Sequence, residues 1–218
     1  MDDTSAPSRG PKWPLWAIAV FSLLIALASA RYLVPGAPGG APPILANAFA
    51  RYGVLTVHAG FSLTALALGP FQFFKGLRER RRSLHRRMGT VYVIACLGGG
   101  LAGLILAFGA TTGPISTAGF GLLAIAWVFT TSRAWLAARA RRLAEHERWM
   151  IRSFALTLAA VTLRLYLPVV MIGQLPYDPA YRAISFLCWV PNLIVAELLI
   201  RRWFRTSPSA GASGHRRG

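Results

Sequence analysis

Six runs of about 20 apolar residues follow one another along this chain, and they limit what it can fold into. A run of that length crosses the roughly 30 Å of hydrocarbon in a bilayer as one α-helix. The composition agrees, because 55% of the residues are hydrophobic and only 14% are charged. The chain is therefore predicted to be an integral membrane protein, whose spans cover approximately residues 14–34, 52–74, 88–109, 115–138, 149–173 and 181–200.

The distribution of apolar residues within the runs predicts the fold class. A transmembrane β-barrel needs short segments that alternate apolar and polar residues, whereas the stretches Leu15–Ala30 and Leu101–Ala107 are apolar all round. Helices satisfy their own backbone hydrogen bonds where no water is available. We predict an all-α bundle of about six transmembrane helices over residues 14–204. A cytoplasmic segment precedes it at 1–13, and a disordered basic tail follows at 205–218.

The basic residues predict the direction in which the helices cross the membrane. The 24 Lys and Arg residues concentrate between spans two and three, between spans four and five, and after span six. Loops close to the cytoplasmic face collect positive charge, so both termini are predicted to be cytoplasmic. The formal net charge of +17 then marks topology and attracts the anionic head groups of the lipid bilayer. No basic soluble domain is left to bind nucleic acid, and we expect none to be bound.

The first span has a second interpretation. Ala28-Ser29-Ala30 ends an apolar run in the small-x-small pattern that a signal peptidase accepts. The apolar core is long for a signal peptide, and Asp2 and Asp3 weaken the positive segment that should precede it. We favour a retained helix, and cleavage would leave five spans in the same orientation.

Two histidines follow arginine-rich links, His85 at the start of span three and His146 at the start of span five. The positive end of a helix dipole disfavours the imidazolium, so both should present the neutral imidazole that ligates metals. One hypothesis is that this pair ligates the iron of a single b-type haem, with Arg86 and Arg152 as donors to the propionates. The alternative is structural, since a histidine at a helix start can also cap the backbone or contact head groups.

Three acidic residues lie near the same links. Glu145 and Glu147 flank His146, where they can accept its ring proton and fix its tautomer. Glu197, late in span six, is predicted to form a salt bridge with Arg152, early in span five at a similar depth.

His58 and Arg164 define an outer layer. With a helical rise of 1.5 Å per residue, His58 lies about 9 Å inside the outer boundary and Arg164 about 22–24 Å from the cytoplasmic one, so their depths are similar. His85 and His146 can meet each other, but neither should reach His58. A guanidinium and an imidazole in this layer suit an anionic or carbonyl-bearing ligand such as a quinone head group.

Other functions stay open beside haem or quinone binding for electron transfer. A small-solute transporter or sensor would use His58, Arg164 and Gln72 in a polar interior. That hypothesis lacks support, because the two halves share no repeat pattern and no paired broken helices are evident. A third possibility is a membrane protein whose polar residues only organise packing. Nucleotide-loop, serine-elbow and zinc-protease motifs are absent from the sequence.

Three sequence motifs resemble those of a membrane protein family. They are His58-Ala59-Gly60 through Gly69-Pro70-Phe71-Gln72-Phe73, then LHRRMGTVY from Leu84 to Tyr92, and HERWMIR from His146 to Arg152. Together they resemble the bacterial family called domain of unknown function 2306, over about residues 50–200. The resemblance implies a multi-pass protein of the bacterial inner membrane and brings no assigned activity. A weaker, fold-level similarity is to b-type cytochrome membrane proteins.

Overall fold

The computed structural model describes residues 13–34, 52–110 and 112–205. Secondary structure in these ranges is helical, which confirms the all-α prediction. The helices are α1 (Trp13–Ser29), α2 (Tyr52–Leu68), α3 (Lys75–Arg80), α4 (Arg82–Ala107), α5 (Pro114–Arg139), α6 (Leu143–Thr157), α7 (Ala159–Ile172), α8 (Tyr177–Leu187) and α9 (Val190–Arg205), with 3₁₀ turns at Ala30–Leu33 and Pro70–Phe73.

Five of the six predicted spans are long and apolar enough to cross a membrane, among the residues described. They are Gly53–Phe73, Arg82–Ala107, Pro114–Arg139, Leu143–Ile172 and Tyr177–Trp203. The first run differs, because its apolar helix ends at Ser29 and only a 3₁₀ turn continues it to Leu33. Apart from the helix-terminal Trp13 and Arg205, the predicted cytoplasmic segment at 1–13 and the basic tail at 205–218 lie outside the described residues.

Spans three and five begin earlier than their apolar runs predict. Helix α4 starts at Arg82 and α6 at Leu143, so each contains six polar-rich residues that the hydropathy pattern assigned to a link. These extensions, the short helix α3 and the turn between α5 and α6 lie together at one end of the bundle. We call it the arginine-rich end.

Helix α4 lies at the centre of the bundle, packed between α2 and α5. Helix α5 in turn contacts α6 and α8, and α1 closes the other side against α2 and α7. The outer surface of the bundle exposes large apolar side chains, such as those of Phe21, Ile94, Ile125 and Leu198. In a bilayer these residues face lipid, so the protein interior is free to hold smaller and more polar side chains.

Glycines allow the close approach of helices to α4. A Cβ atom added at Gly98 would lie 2.6 Å from the Phe61 ring, and one added at Gly100 would lie 2.6 Å from Val128. Both partners belong to neighbouring helices of the same chain. Gly98 and Gly100 therefore allow helices to pack closely within the bundle, as small-xxx-small patterns do.

Spans five and six are each interrupted, at neighbouring positions. Both spans lie in the second half of the chain, so these breaks are not the pair in corresponding halves that an inverted repeat would have. Leu158 separates α6 from α7, and Cys188 and Trp189 separate α8 from α9 just before Pro191. The Asn192 side chain bridges the two breaks, donating to Thr162 Oγ1 at 2.9 Å and to the Cys188 carbonyl at 3.1 Å. Proline explains the second break, because Pro191 has no N–H to donate back along the chain and its ring would clash with the carbonyl four residues earlier.

The predicted salt bridge between Arg152 and Glu197 is confirmed. The guanidinium binds both carboxylate oxygens, with Nη2 2.9 Å from Oε2. The same guanidinium lies 4.6 Å above the ring of Trp149. Arg152 is thus held between α6 and α9, where its charge is neutralised at the arginine-rich end.

Candidate functional site

His58 lies on α2 and points towards α4. Its Nδ1 donates to the backbone carbonyl of Gly99 at 2.8 Å, and its Nε2 lies 3.4 Å from the Ser62 hydroxyl. Gly103 makes this position possible, since a Cβ atom there would lie 3.0 Å from two atoms of the ring. In the neutral ring this bond places the proton on Nδ1 and leaves Nε2 as an acceptor for a hydroxyl such as that of Ser62.

The His58 ring lines a cavity of about 320 Å³ between α2, α4, α5 and α7, which we call the outer cavity. Its wall is mainly aliphatic and aromatic, and it extends to Ala107 and Gly109 at the end opposite the arginines. The volume lies at the lower end of the roughly 300–1,000 Å³ typical of ligand pockets. The outer cavity can therefore hold one small apolar molecule.

Arg164 lines the same cavity from α7. Its Nη1 donates to the Ala160 carbonyl at 2.9 Å, and its charge acts on the imidazole of His58. Helical rise predicted that these two residues share a depth, and the structure places both in the wall of one cavity. An arginine has five N–H donors, so the cavity offers donors beside the acceptor nitrogen of His58.

His85 and His146 occupy equivalent positions, each the fourth residue of its helix. The backbone N–H of His85 bonds to the Arg81 carbonyl at 3.0 Å, and that of His146 bonds to the Arg142 carbonyl at 2.9 Å. The two side chains lie near enough to each other to interact electrostatically. The sequence predicted that they can meet, and we call these two residues the histidine pair.

The histidine pair is far from the outer cavity. Gly99, which contacts His58, follows His85 by fourteen residues on the straight helix α4, a rise of about 21 Å. The predicted separation of the chemistry into two layers is consistent with this placement.

The tautomer of His146 is fixed by a group that the sequence did not indicate. Its Nδ1 donates to the Ala134 carbonyl at 2.9 Å. The expectation that Glu145 or Glu147 would accept this proton is wrong, because both carboxylates pair with arginines. Glu145 lies 3.2 Å from Arg133 and 3.0 Å from Arg142, and Glu147 lies 3.3 Å from Arg78.

Arg86 and Arg152, which were predicted to bind the propionates of a haem, lie in different surroundings. Arg86 is exposed next to His85, where its charge acts on that ring. Arg152 is bound to Glu197, as described above. Groups of three or more His, Cys, Asp and Glu residues that could hold a metal ion are absent from the described part of the chain.

The sequence did not indicate a group of buried hydroxyls, which we call the hydroxyl cluster: Tyr92, Thr131, Ser153 and Thr157. Tyr92 is 0% exposed, and its hydroxyl lies 3.0 Å from both Ser153 Oγ and Thr157 Oγ1. The signal that could have found it is a spacing of seven residues, two helical turns, from His85 to Tyr92 and from His146 to Ser153. That spacing puts the hydroxyls on the same faces as the histidine pair.

A family model provides an independent comparison. The family described as Predicted membrane protein (DUF2306) matches residues 55–200, which is more than half of the chain. The chain belongs to this family. In this DUF2306 protein the match includes all three quoted motifs, and with them His58, the hydroxyl cluster and the histidine pair. No curated protein and no solved structure matches it, so the similarity to b-type cytochromes is not confirmed.

The contact between Gly103 and His58 generates a stability prediction. Gly103→Ala places a methyl group against the imidazole ring, and overpacking of this kind costs about 1–3 kcal/mol. We expect a lower midpoint of thermal unfolding in detergent. The matched control is Gly53→Ala, because a Cβ atom at Gly53 meets nothing within 4 Å. Equal midpoints for the two variants would contradict the placement of His58.

Proposed function

We propose that this membrane protein binds a quinone-type molecule, an apolar ring compound with carbonyl or hydroxyl groups, in the outer cavity. The observation that carries the proposal is the position of His58, whose ring is held by the Gly99 carbonyl in the wall of a largely apolar cavity. Ligand sites commonly combine an apolar wall with a few placed polar groups.

The polar groups of the cavity match both redox forms of such a ligand. A quinol hydroxyl can donate to His58 Nε2, and a quinone carbonyl can accept from the guanidinium of Arg164. Trp127 also lines the cavity and offers an aromatic face for the ring. A ligand that alternates between these forms would serve electron transfer at this membrane.

The alternative of a solute transporter has less support. It grouped Gln72 with His58 and Arg164, but Gln72 lies in the 3₁₀ turn after α2 and does not line the outer cavity. Its side-chain oxygen lies beside Gly89, one helical turn from His85. The cavity wall therefore contains two of the three residues that the transport hypothesis requires.

Quinone binding is tested by titrating the detergent-purified protein with a decyl-benzoquinone while tryptophan fluorescence is recorded. Removing one hydrogen bond typically costs about 0.5–1.5 kcal/mol, so His58→Ala should weaken binding about 3- to 10-fold. Arg164→Ala removes a charged donor and should weaken it more. His85→Ala, at the other end of α4, is the control and should bind as the wild type does. Unchanged affinity in both cavity variants would contradict the proposal.

Haem ligation by the histidine pair is the second candidate. It is favoured by the bond from His146 Nδ1 to the Ala134 carbonyl, since metal-ligating histidines usually donate their other ring nitrogen to such an acceptor. His85 fits less well, because its Nδ1 is buried without a hydrogen-bond partner among the described residues. A haem held there would supply one-electron chemistry.

The visible absorption spectrum tests this candidate. Haem ligation predicts a Soret band in protein purified from haem-replete cells, a shift on dithionite reduction, and loss of the band in His85→Ala and His146→Ala. His58→Ala should keep the band, since His58 lies in the other layer. Colourless wild-type protein would contradict haem binding and leave the quinone proposal intact.

A further inference from the structure

A row of polar groups crosses the bundle along one face of α4. Two glycines on that face admit polar side chains from other elements: Gln72 Oε1 lies 3.2 Å from a Cβ atom placed at Gly89, and His58 lies at Gly103. Residues spaced by three, four or seven share a helix face. The face thus carries His85, Gly89, Tyr92, Gly99 and Gly103 from the arginine-rich end outwards.

The hydroxyl cluster fills the middle of this row. Thr131 Oγ1 lies 2.7 Å from Ser153 Oγ, which lies 3.0 Å from the Tyr92 hydroxyl, which lies 3.0 Å from Thr157 Oγ1. Trp127 Nε1 also donates to Thr157 Oγ1 at 3.0 Å. Four hydroxyls from α4, α5 and α6 therefore form one continuous hydrogen-bonded chain inside the protein.

Such a chain can be oriented in two directions. Each hydroxyl is one donor and also an acceptor, so the hydrogen bonds between the four oxygens can form in either direction. In one direction Thr157 Oγ1 donates to the Ser153 carbonyl at 3.0 Å, and in the other it donates to Tyr92. Ser and Thr hydroxyls commonly hydrogen-bond across helices in membrane bundles, and here the bonds join into one continuous chain. Continuity is what a proton path needs beyond helix packing.

Other polar features lie on both sides of the hydroxyl cluster along α4. At the outer end, Thr157 lines the outer cavity, which His58 also lines. Towards the arginine-rich end, Gln72 is 5% exposed, and its Nε2 is buried with no hydrogen-bond partner among the described residues.

We propose that the hydroxyl cluster conducts protons between the outer cavity and the arginine-rich end. A proton arriving at Thr157 Oγ1 displaces the hydroxyl proton of Thr157 to Tyr92, and Tyr92 and Ser153 pass theirs on to Ser153 and Thr131. Thr131 releases its proton towards the arginine-rich end, where solvent water takes it up. Each hydroxyl ends with one proton, and rotation of the four O–H bonds resets the chain. Conduction does not depend on a bound quinone.

Proton flux into proteoliposomes tests the proposal. Vesicles contain the purified full chain and an internal pH dye, and a potassium gradient with valinomycin supplies the driving potential. We expect wild-type vesicles to change internal pH faster than protein-free vesicles, and Tyr92→Phe to return the rate to the protein-free level. The control Tyr166→Phe removes the same oxygen from α7, where Tyr166 packs in an apolar cluster around Ile184 and Cys188, and it should conduct as the wild type does.

A second pair of variants separates conduction from folding. Thr131→Val removes the hydroxyl with little change of shape and should block the flux, whereas Thr131→Ser keeps the hydroxyl and should conduct. Circular dichroism and the thermal midpoint establish that each variant is folded. Wild-type flux equal to that of protein-free vesicles, or equal flux for Thr131→Val and Thr131→Ser, would overturn the proposal.

Discussion

A polar side chain inside a membrane bundle has to find its hydrogen-bond partners within the protein, because hydrocarbon offers none. The central helix α4 meets this constraint with glycines at the places where polar groups approach it. Gly103 admits the His58 ring and Gly99 supplies its carbonyl acceptor, while Gly89 admits Gln72. The same small residues let the helices pack closely. The outer cavity and the hydroxyl cluster both follow from this one face.

The charged residues are distributed unequally between the two ends of the bundle. Arginines, their carboxylate partners and the histidine pair gather at one end, where Arg152 binds Glu197 and Arg78 binds Glu147. At the opposite end the outer cavity holds a single guanidinium, that of Arg164, in its wall. The arginine-rich end therefore carries most of the paired charge, whereas the wall of the outer cavity is mainly apolar with a few polar groups. An uncharged ligand with a few hydrogen-bonding groups, as we propose, suits such a wall.

The features that depend on a single helix were predictable from the sequence, because hydropathy marks where a helix crosses the membrane and helical rise gives the depth of each residue along it. They predicted the spans, the shared depth of His58 and Arg164, and the salt bridge of Arg152. They did not predict contacts that depend on which helices are neighbours, such as the hydroxyl cluster or the Ala134 carbonyl that binds His146. The sequence also did not show that Glu145 would bind Arg133 and Arg142 instead of accepting the ring proton of His146, because Arg133 comes from a neighbouring helix.

Photoaffinity labelling with an azido-benzoquinone, followed by mass spectrometry of the labelled peptides, tests the central claim most directly. Binding in the outer cavity predicts labels on cavity-lining residues of α2 between His58 and Leu66 and of α7 between Ala160 and Leu167, with competition by unlabelled quinone. Labels concentrated around His85 and His146, or spread without competition over lipid-facing residues such as Ile94 and Ile125, would contradict quinone binding at His58.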